Sequence, residues 1–363
     1  MALDEQKSVN PEEAGKAASK EGVLYIGIDL GTSRTSIAAS NGVRETVESV
    51  VGYPRDVVSR KLLKKEKLFG AEAREKRLSL DFYRPLQHGS IKFSDGSATK
   101  EDFEKNIAAV KDLVVHAVGL AKPRKDELIY GVIGAPAQAS IKNKKWIVDA
   151  AREVLDSAML CSEPFAVAYG KDLLDDVLVI DIGAGTVDLC RMHGTMPEAE
   201  DQITLTTAGD WLDDELTQLL KAKCPTADFN VNMVKEIKEK HAFVTEASEA
   251  VRIELPVSGK PTLFEVTNEI RTACRKMIPP IVESLHKLIS TFDPEFQSKL
   301  RNNVLLAGGG SQIIGLGTAI ELEMKEKLGG GRVKTIEEPV YAGANGALKI
   351  AHDMPEEYWE KLK

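Results

Sequence analysis

Val23-Leu24-Tyr25-Ile26-Gly27-Ile28-Asp29-Leu30-Gly31-Thr32-Ser33 is an apolar run that ends in a single carboxylate and then turns. The pattern returns at Val177-Leu178-Val179-Ile180-Asp181-Ile182-Gly183-Ala184-Gly185-Thr186. Runs of this length, rich in β-branched residues and bounded by glycine, read as buried strands. Each Asp therefore stands at a strand's end. The turns that follow hold glycine, serine, threonine and alanine, which lets the backbone bend sharply and aim N–H groups at an anion. Behind each turn comes a second strand-like run, Thr35-Ser36-Ile37-Ala38-Ala39 and Val187-Asp188-Leu189-Cys190. Each unit is thus a hairpin, not the strand-loop-helix of a P-loop, and no Gly-x-x-x-x-Gly-Lys-[Ser/Thr] occurs.

Either hairpin alone is adequately explained as a turn, because glycines after an Asp punctuate hairpins everywhere. Two of them facing each other would set Asp29 and Asp181 on opposite walls of one cleft. Two carboxylates beside a phosphate chain are costly unless a cation lies between them, and Mg²⁺ held through waters suits oxygen-only ligands. A third glycine cluster strengthens the phosphate reading. Val304-Leu305-Leu306-Ala307 ends in Gly308-Gly309-Gly310-Ser311, with a helix expected directly after it over Ile313, Ile314, Leu316 and Ile320. Strand, glycines and helix form a shape in which a flat ring or a sugar lies against backbone.

The 363 residues suggest about two domains. A net charge of −8 gives no electrostatic support for a nucleic-acid partner. No segment is apolar for long enough to span a membrane, and no signal peptide precedes the first strand. The four cysteines, Cys161, Cys190, Cys224 and Cys274, show no Cys-x-x-Cys pair, as expected for free thiols in a reducing cytoplasm. No metal-ligand cluster of histidines and no Ser-His-Asp set can be placed.

Along the chain, residues 1–21 mix charge with Ala and Ser and are expected to be a disordered tail. Val43 to Val51 should continue the first hairpin as a third strand after the Asn41-Gly42 turn. The basic run Ser59 to Lys67 reads as a solvated loop or hairpin face, with a subunit contact as the alternative. Ser162-Glu163-Pro164 places Glu163 at a strand end and a helix mouth. There it could orient a water or simply cap the helix. Thr267 to Phe292 reads as one helix kinked at Pro279-Pro280, and Ala342 to His352 as a closing helix whose Gly343 and Gly346 allow close packing.

In this order, the first Asp-x-Gly hairpin, the Ser-Glu-Pro segment, the second Asp-x-Gly hairpin and the late Gly-Gly-Gly-Ser resemble the actin, heat-shock chaperone and sugar kinase ATPase superfamily, from residue 23 nearly to the end. Within it, Arg84-Pro85-Leu86-Gln87-His88-Gly89-Ser90-Ile91 is similar to a segment of the bacterial actin MreB. Ser49 to Val57, Glu200 to Thr206 and Pro355 to Trp359 resemble the magnetosome actin-like filament proteins. The resemblance implies an α/β actin-like ATPase fold with two related domains, each a mixed sheet flanked by helices, and a nucleotide cleft between them. Domain I would cover 22–163 with a small insertion near 53–90. Domain II would cover 164–352 with a subdomain near 210–270, and 353–363 would trail as a tail.

The same resemblance implies ATP or ADP with Mg²⁺ as cofactors. Asp29, Gly31, Thr32, Ser33 and Arg34 would form the first phosphate loop. Gly183, Ala184, Gly185 and Thr186 would form the second. Gly209, Glu215 and Lys238 would lie on the sugar side, and Gly308, Gly309, Gly310 and Ser311 at the adenosine. Asp29 and Asp181 would hold Mg²⁺ waters, and Glu163, Asp181 and Thr186 would serve hydrolysis. Where the superfamily has a Glu three residues before that Lys, this chain has Lys235. The implied function is an ATP-dependent cytoplasmic filament whose partners are further copies of itself and magnetosome-associated proteins, without direct membrane insertion. Rivals on the same fold are a chaperone, a small-molecule kinase and a membrane-tethered scaffold. The chaperone is disfavoured because no peptide-binding domain follows the closing helix.

Overall fold

The computed structural model describes residues 22–362 apart from 88–89, 92–99 and 247–248. The expected tail at 1–21 lies outside the described residues. Strand Val23–Leu30 is the centre of a five-stranded sheet. It pairs antiparallel with its hairpin partner Arg34–Ala39 and parallel with Leu128–Ala135, and Arg44–Glu48 and Ser157–Ser162 form the edges. A second five-stranded sheet repeats this plan. Val177–Ile182 pairs antiparallel with Val187–Met192 and parallel with Val304–Ala307, with Gln202–Leu205 and Val333–Thr335 at the edges. The register is equivalent: Asp29 lies between Ser36 and Gly134, and Asp181 between Asp188 and Ala307. Both central strands read as near-continuous apolar runs because helices cover both faces of the sheets, and Val177–Ile182 is buried at every position.

The closing helix Ala342–Asp353 joins the two sheets, packing on Val23–Leu30 and on the helix Glu163–Gly170. Its glycines allow the close approach the sequence suggested. A Cβ on Gly346 would stand 1.7 Å from the Ala166 carbonyl oxygen, and one on Gly27 would stand 2.1 Å from that of Ala344. Both contacts are with backbone, which cannot rotate away. Gly346→Ala is therefore expected to exceed the roughly 1–3 kcal/mol usual for overpacking and to remove or sharply lower the cooperative thermal transition. A melting temperature within a few degrees of wild type would show that the helix can slide.

Four local expectations are corrected. The third strand is not continuous to Val51: Arg44–Glu48 ends, Ser49 turns inward, and Val51–Pro54 joins a separate three-stranded sheet with Leu68–Phe69 and Leu80–Tyr83. The basic run is a loop only in its second half, residues 64–67, because Val57–Leu63 is a helix whose N-terminus is closed reciprocally by Asp56 and Ser59. The long helix is two, Thr267–Arg275 and Ile278–Ser290, with Pro279 and Pro280 in the first turn of the second. There their missing N–H groups have no intrahelical partner to lose. Finally, 353–363 does not trail. Glu356–Lys361 is a helix, and Trp359 is fully buried, stacked on Tyr130 with ring centroids 5.0 Å apart.

Helices Gly209–Lys223 and Val231–His241, with the hairpin Arg252–Val257 and Lys260–Glu265, form the small unit on the second sheet's side. Leu316–Leu328 begins later than the sequence suggested, because Gly309–Gln312 first makes a single 3₁₀ turn. All four cysteines are free thiols, and Cys190, Cys224 and Cys274 are buried. No described helix is long and apolar enough to cross a membrane.

Candidate functional site

The first turn is held shut by Ser49, whose hydroxyl donates to the Gly31 carbonyl at 2.6 Å and whose N–H donates to that of Ser33 at 2.9 Å. Gly31 is required there, since a Cβ would stand 2.6 Å from the Arg34 carbonyl oxygen. The second turn closes on itself through Gly183 N–H to the Thr186 carbonyl at 2.9 Å. The start of helix Gly209–Lys223 ties it down, because Gly209 and Asp210 donate N–H groups to the Gly183 and Ala184 carbonyls at 3.1 and 2.7 Å.

Both turns open on one cleft of about 510 Å³, a normal size for a cofactor site. The sequence-predicted Asp29, Gly31, Thr32, Ser33 and Arg34 line it from one wall. Asp181, Gly183, Ala184, Gly185 and Thr186 line it from the other, joined by Glu163, Gly209, Lys238, Gly308, Gly309 and Gly310. Two of the expected residues, Ser311 and Glu215, are not in the cleft lining. Ser311 is buried and spends its hydroxyl on the Gly308 carbonyl at 2.7 Å, closing its own turn. Glu215 is not among the cleft-lining residues and is paired with Lys276.

The cleft floor is acidic. Among the described residues, no cation or hydrogen-bond donor is paired with Asp29, Glu163 or Asp181. Enclosure by protein pushes the Asp29 carboxyl up to about 6. Glu163 is raised well above the usual range by burial first and then by Asp29, Asp188 and Asp181. Asp181 is raised by burial, Asp29 and Asp188. The packing is tight: a Cβ on Gly308, which has φ +75°, would stand 2.3 Å from an Asp181 oxygen, and one on Gly343 would stand 2.8 Å from an Asp29 oxygen. Asp188 is better satisfied, accepting from the Ala137 N–H at 3.0 Å and the Thr204 hydroxyl at 2.5 Å. Those bonds lower its carboxyl against the larger effect of burial.

Unneutralised carboxylates converging from two strands and a helix mouth form an oxygen-only set that fits a hard divalent cation. No described group of three acidic, His or Cys side chains is arranged to ligate an ion directly. The cleft lip is bridged by ion pairs. Arg84 grips Asp210 with two bonds of 2.7 and 2.9 Å, Arg34 meets Glu239 at 3.2 Å, and Arg74 meets Glu236 at 3.1 Å.

The model of the MreB/Mbl protein family matches residues 24–357. The chain belongs to the MreB/Mbl family. Actin-like protein MamK of Paramagnetospirillum magneticum is 39% identical over 97% of this chain and 98% of its own length. Among solved structures, a MamK double helical filament matches with TM-score 0.87 and 38% identity, covering 92% of this chain and 100% of that one. A non-polymerising MamK mutant bound to AMPPNP matches with TM-score 0.69 at 38% identity, over 92% and 99%. The fold is the actin-like ATPase fold, as the paired hairpins implied.

In this MreB/Mbl-family chain the structure adds cleft residues that sequence reasoning left out, among them Lys235, Asp210, Met277, Gln312, Pro339 and Val340. Lys235 was legible as a neighbour of Lys238, since residues three apart share a helix face. Pro339 and Val340 come from the approach to the closing helix, and nothing in their local sequence signals a ligand.

Proposed function

We propose that the protein binds Mg-ATP in this cleft, hydrolyses it, and forms filaments whose assembly follows the nucleotide state. The observation that carries this is the convergence of two equivalent hairpin turns and an unneutralised carboxylate cluster on one cleft of suitable size. The relatives support it, since MamK forms a double helical filament and a MamK mutant is bound to AMPPNP. Backbone N–H groups of both turns and the hydroxyls of Thr32, Ser33 and Thr186 would hold the phosphates. Gly308 to Gly310 would leave room for the adenosine.

Asp29 and Asp181 would hold Mg²⁺ through water, and the ion supplies charge neutralisation between carboxylates and phosphates. Glu163 would orient the attacking water. Phosphoryl transfer demands positioning and charge compensation more than a strong base, and this site is built for both. Because the cleft lies between the two sheets, nucleotide contacts on both walls would set how the halves sit. A head-to-tail contact that does not close on itself then yields a filament. By kinship with MamK, the filament would organise magnetosomes, with magnetosome-associated proteins as its other partners.

The test is sedimentation followed by electron microscopy. Pelletable filaments are expected with Mg-ATP and not without nucleotide, together with phosphate release. Phosphate transfer to a small acceptor without filaments would identify a kinase instead.

A further inference from the structure

The cleft's charges are divided between an acidic floor and a basic lip, and two of the lining cations, the half-buried Lys235 and the exposed Lys240, have no paired counter-charge among the described residues. Lys235 and Lys238 stand one turn apart on helix Val231–His241. Lys238 is neutralised by Asp213 at 2.7 Å and donates to the Gly209 carbonyl at 2.6 Å. Lys235 has neither kind of contact. Its ammonium donates to the Ser33 hydroxyl at 2.5 Å, and among the described residues no carboxylate is paired with it.

The acids near it are all taken: Glu239 by Arg34 at 3.2 Å, Asp210 by Arg84 at 2.7 Å and Asp213 by Lys238. Burial and the adjacent Arg84 lower the Lys235 ammonium below its usual range, so its charge is held at a cost that a bound anion would remove. Ser33 lies 202 residues away in the first hairpin turn. Lys235 therefore reaches across the cleft to the mouth of that turn.

We propose that Lys235 is a phosphate-binding residue, its ammonium held by Ser33 at the first turn so that it contacts the phosphate chain of the bound nucleotide rather than its sugar. This rests on the nucleotide reading of the cleft and goes beyond it by giving a role to the unpaired cation that reaches the first turn. A compact ammonium suits phosphate as a point charge. It also supplies a positive counterpart to the carboxylates beneath, so that the phosphates lie between Lys235 and the acidic floor.

Calorimetric titration of the full chain with Mg-ATP, Mg-ADP and adenosine tests the assignment in wild type, Lys235→Gln and Lys235→Arg. The expected result is a roughly 10- to 100-fold loss of ATP affinity in Lys235→Gln, the size of one charged hydrogen bond. The loss should be smaller for ADP and under about threefold for adenosine, and Lys235→Arg should recover most of the ATP affinity. Preserved adenosine binding reports that the variant's site is folded. An equal loss for all three ligands would assign Lys235 to the sugar or to structure, and no loss would remove it from the site; either overturns the proposal. A wild type that binds adenosine but not Mg-ATP overturns the phosphate reading of the cleft, and this assignment with it.

Discussion

Glu163→Ala is expected to lower ATP turnover by about 10²- to 10⁴-fold, the range for loss of a positioned acid–base group, while filaments still form with ATP and then persist. Glu163 sits at the junction of strand Ser157–Ser162 and helix Glu163–Gly170, where Pro164 fixes the first turn. Its side chain lies over the strand next to Asp29, since a Cβ on Gly134 would stand 3.4 Å from the Glu163 Cγ. The position belongs to the cleft lining. Assembly should accordingly survive its loss. Removing a carboxylate from a crowded acidic floor also relieves repulsion toward phosphate, so the KM for ATP should not rise. A rate of phosphate release equal to wild type would take Glu163 out of the chemistry.

Asp29→Asn is expected to make the nucleotide-free protein more stable at pH 7.5 and, at the same time, to remove most of the Mg²⁺ dependence of ATP binding. Burial pushes the Asp29 carboxyl up to about 6, well above the usual carboxylate range. The folded state therefore holds this proton more tightly than the unfolded chain does. The stability linked to it is fully present below about pH 4 and is lost as pH rises through about 6. A neutral amide of the same shape avoids that loss. In metal-free buffer the variant should exceed wild type by about 1–3 kcal/mol at pH 7.5, and the difference should vanish near pH 4. Thermal unfolding across pH with a chelator present measures this directly. A variant less stable than wild type at pH 7.5 would mean that the carboxylate has a partner in the folded chain, which would remove the reason to expect a cation there.

The parts of the site that were readable in the chain are those whose chemistry is local. Val23–Leu30, Val177–Ile182 and Val304–Ala307 announce themselves because a strand covered on both faces must be apolar throughout, and the glycines after them because tight backbone approach excludes a Cβ. Their repetition implied two equivalent halves, and the strand pairings of Asp29 and Asp181 repeat that equivalence residue for residue. Helix Val57–Leu63 was not readable in the same way. Val57, Val58 and Leu62 are exposed, so no apolar face betrays it, and only the Asp56–Ser59 cap does. Ser311 and Glu215 were placed in the cleft by the family resemblance, yet each side chain is bonded to something else, the Gly308 carbonyl and Lys276.

Hydrophobic burial and backbone sterics, acting within a dozen residues, are enough to say which segments become buried strands, where each carboxylate stands on its strand, and that the chain bends back at glycine after both. All of that is written in the order of the amino acids. The folded molecule alone reveals that the two turns share one cleft, that Lys235 is left without a paired counter-ion while Lys238 and Arg34 are matched, and that Trp359 locks the chain's last helix against Tyr130. Those outcomes depend on contacts between residues hundreds of positions apart, whose distances are fixed by how the closing helix packs through Gly346 and not by any pattern along the chain.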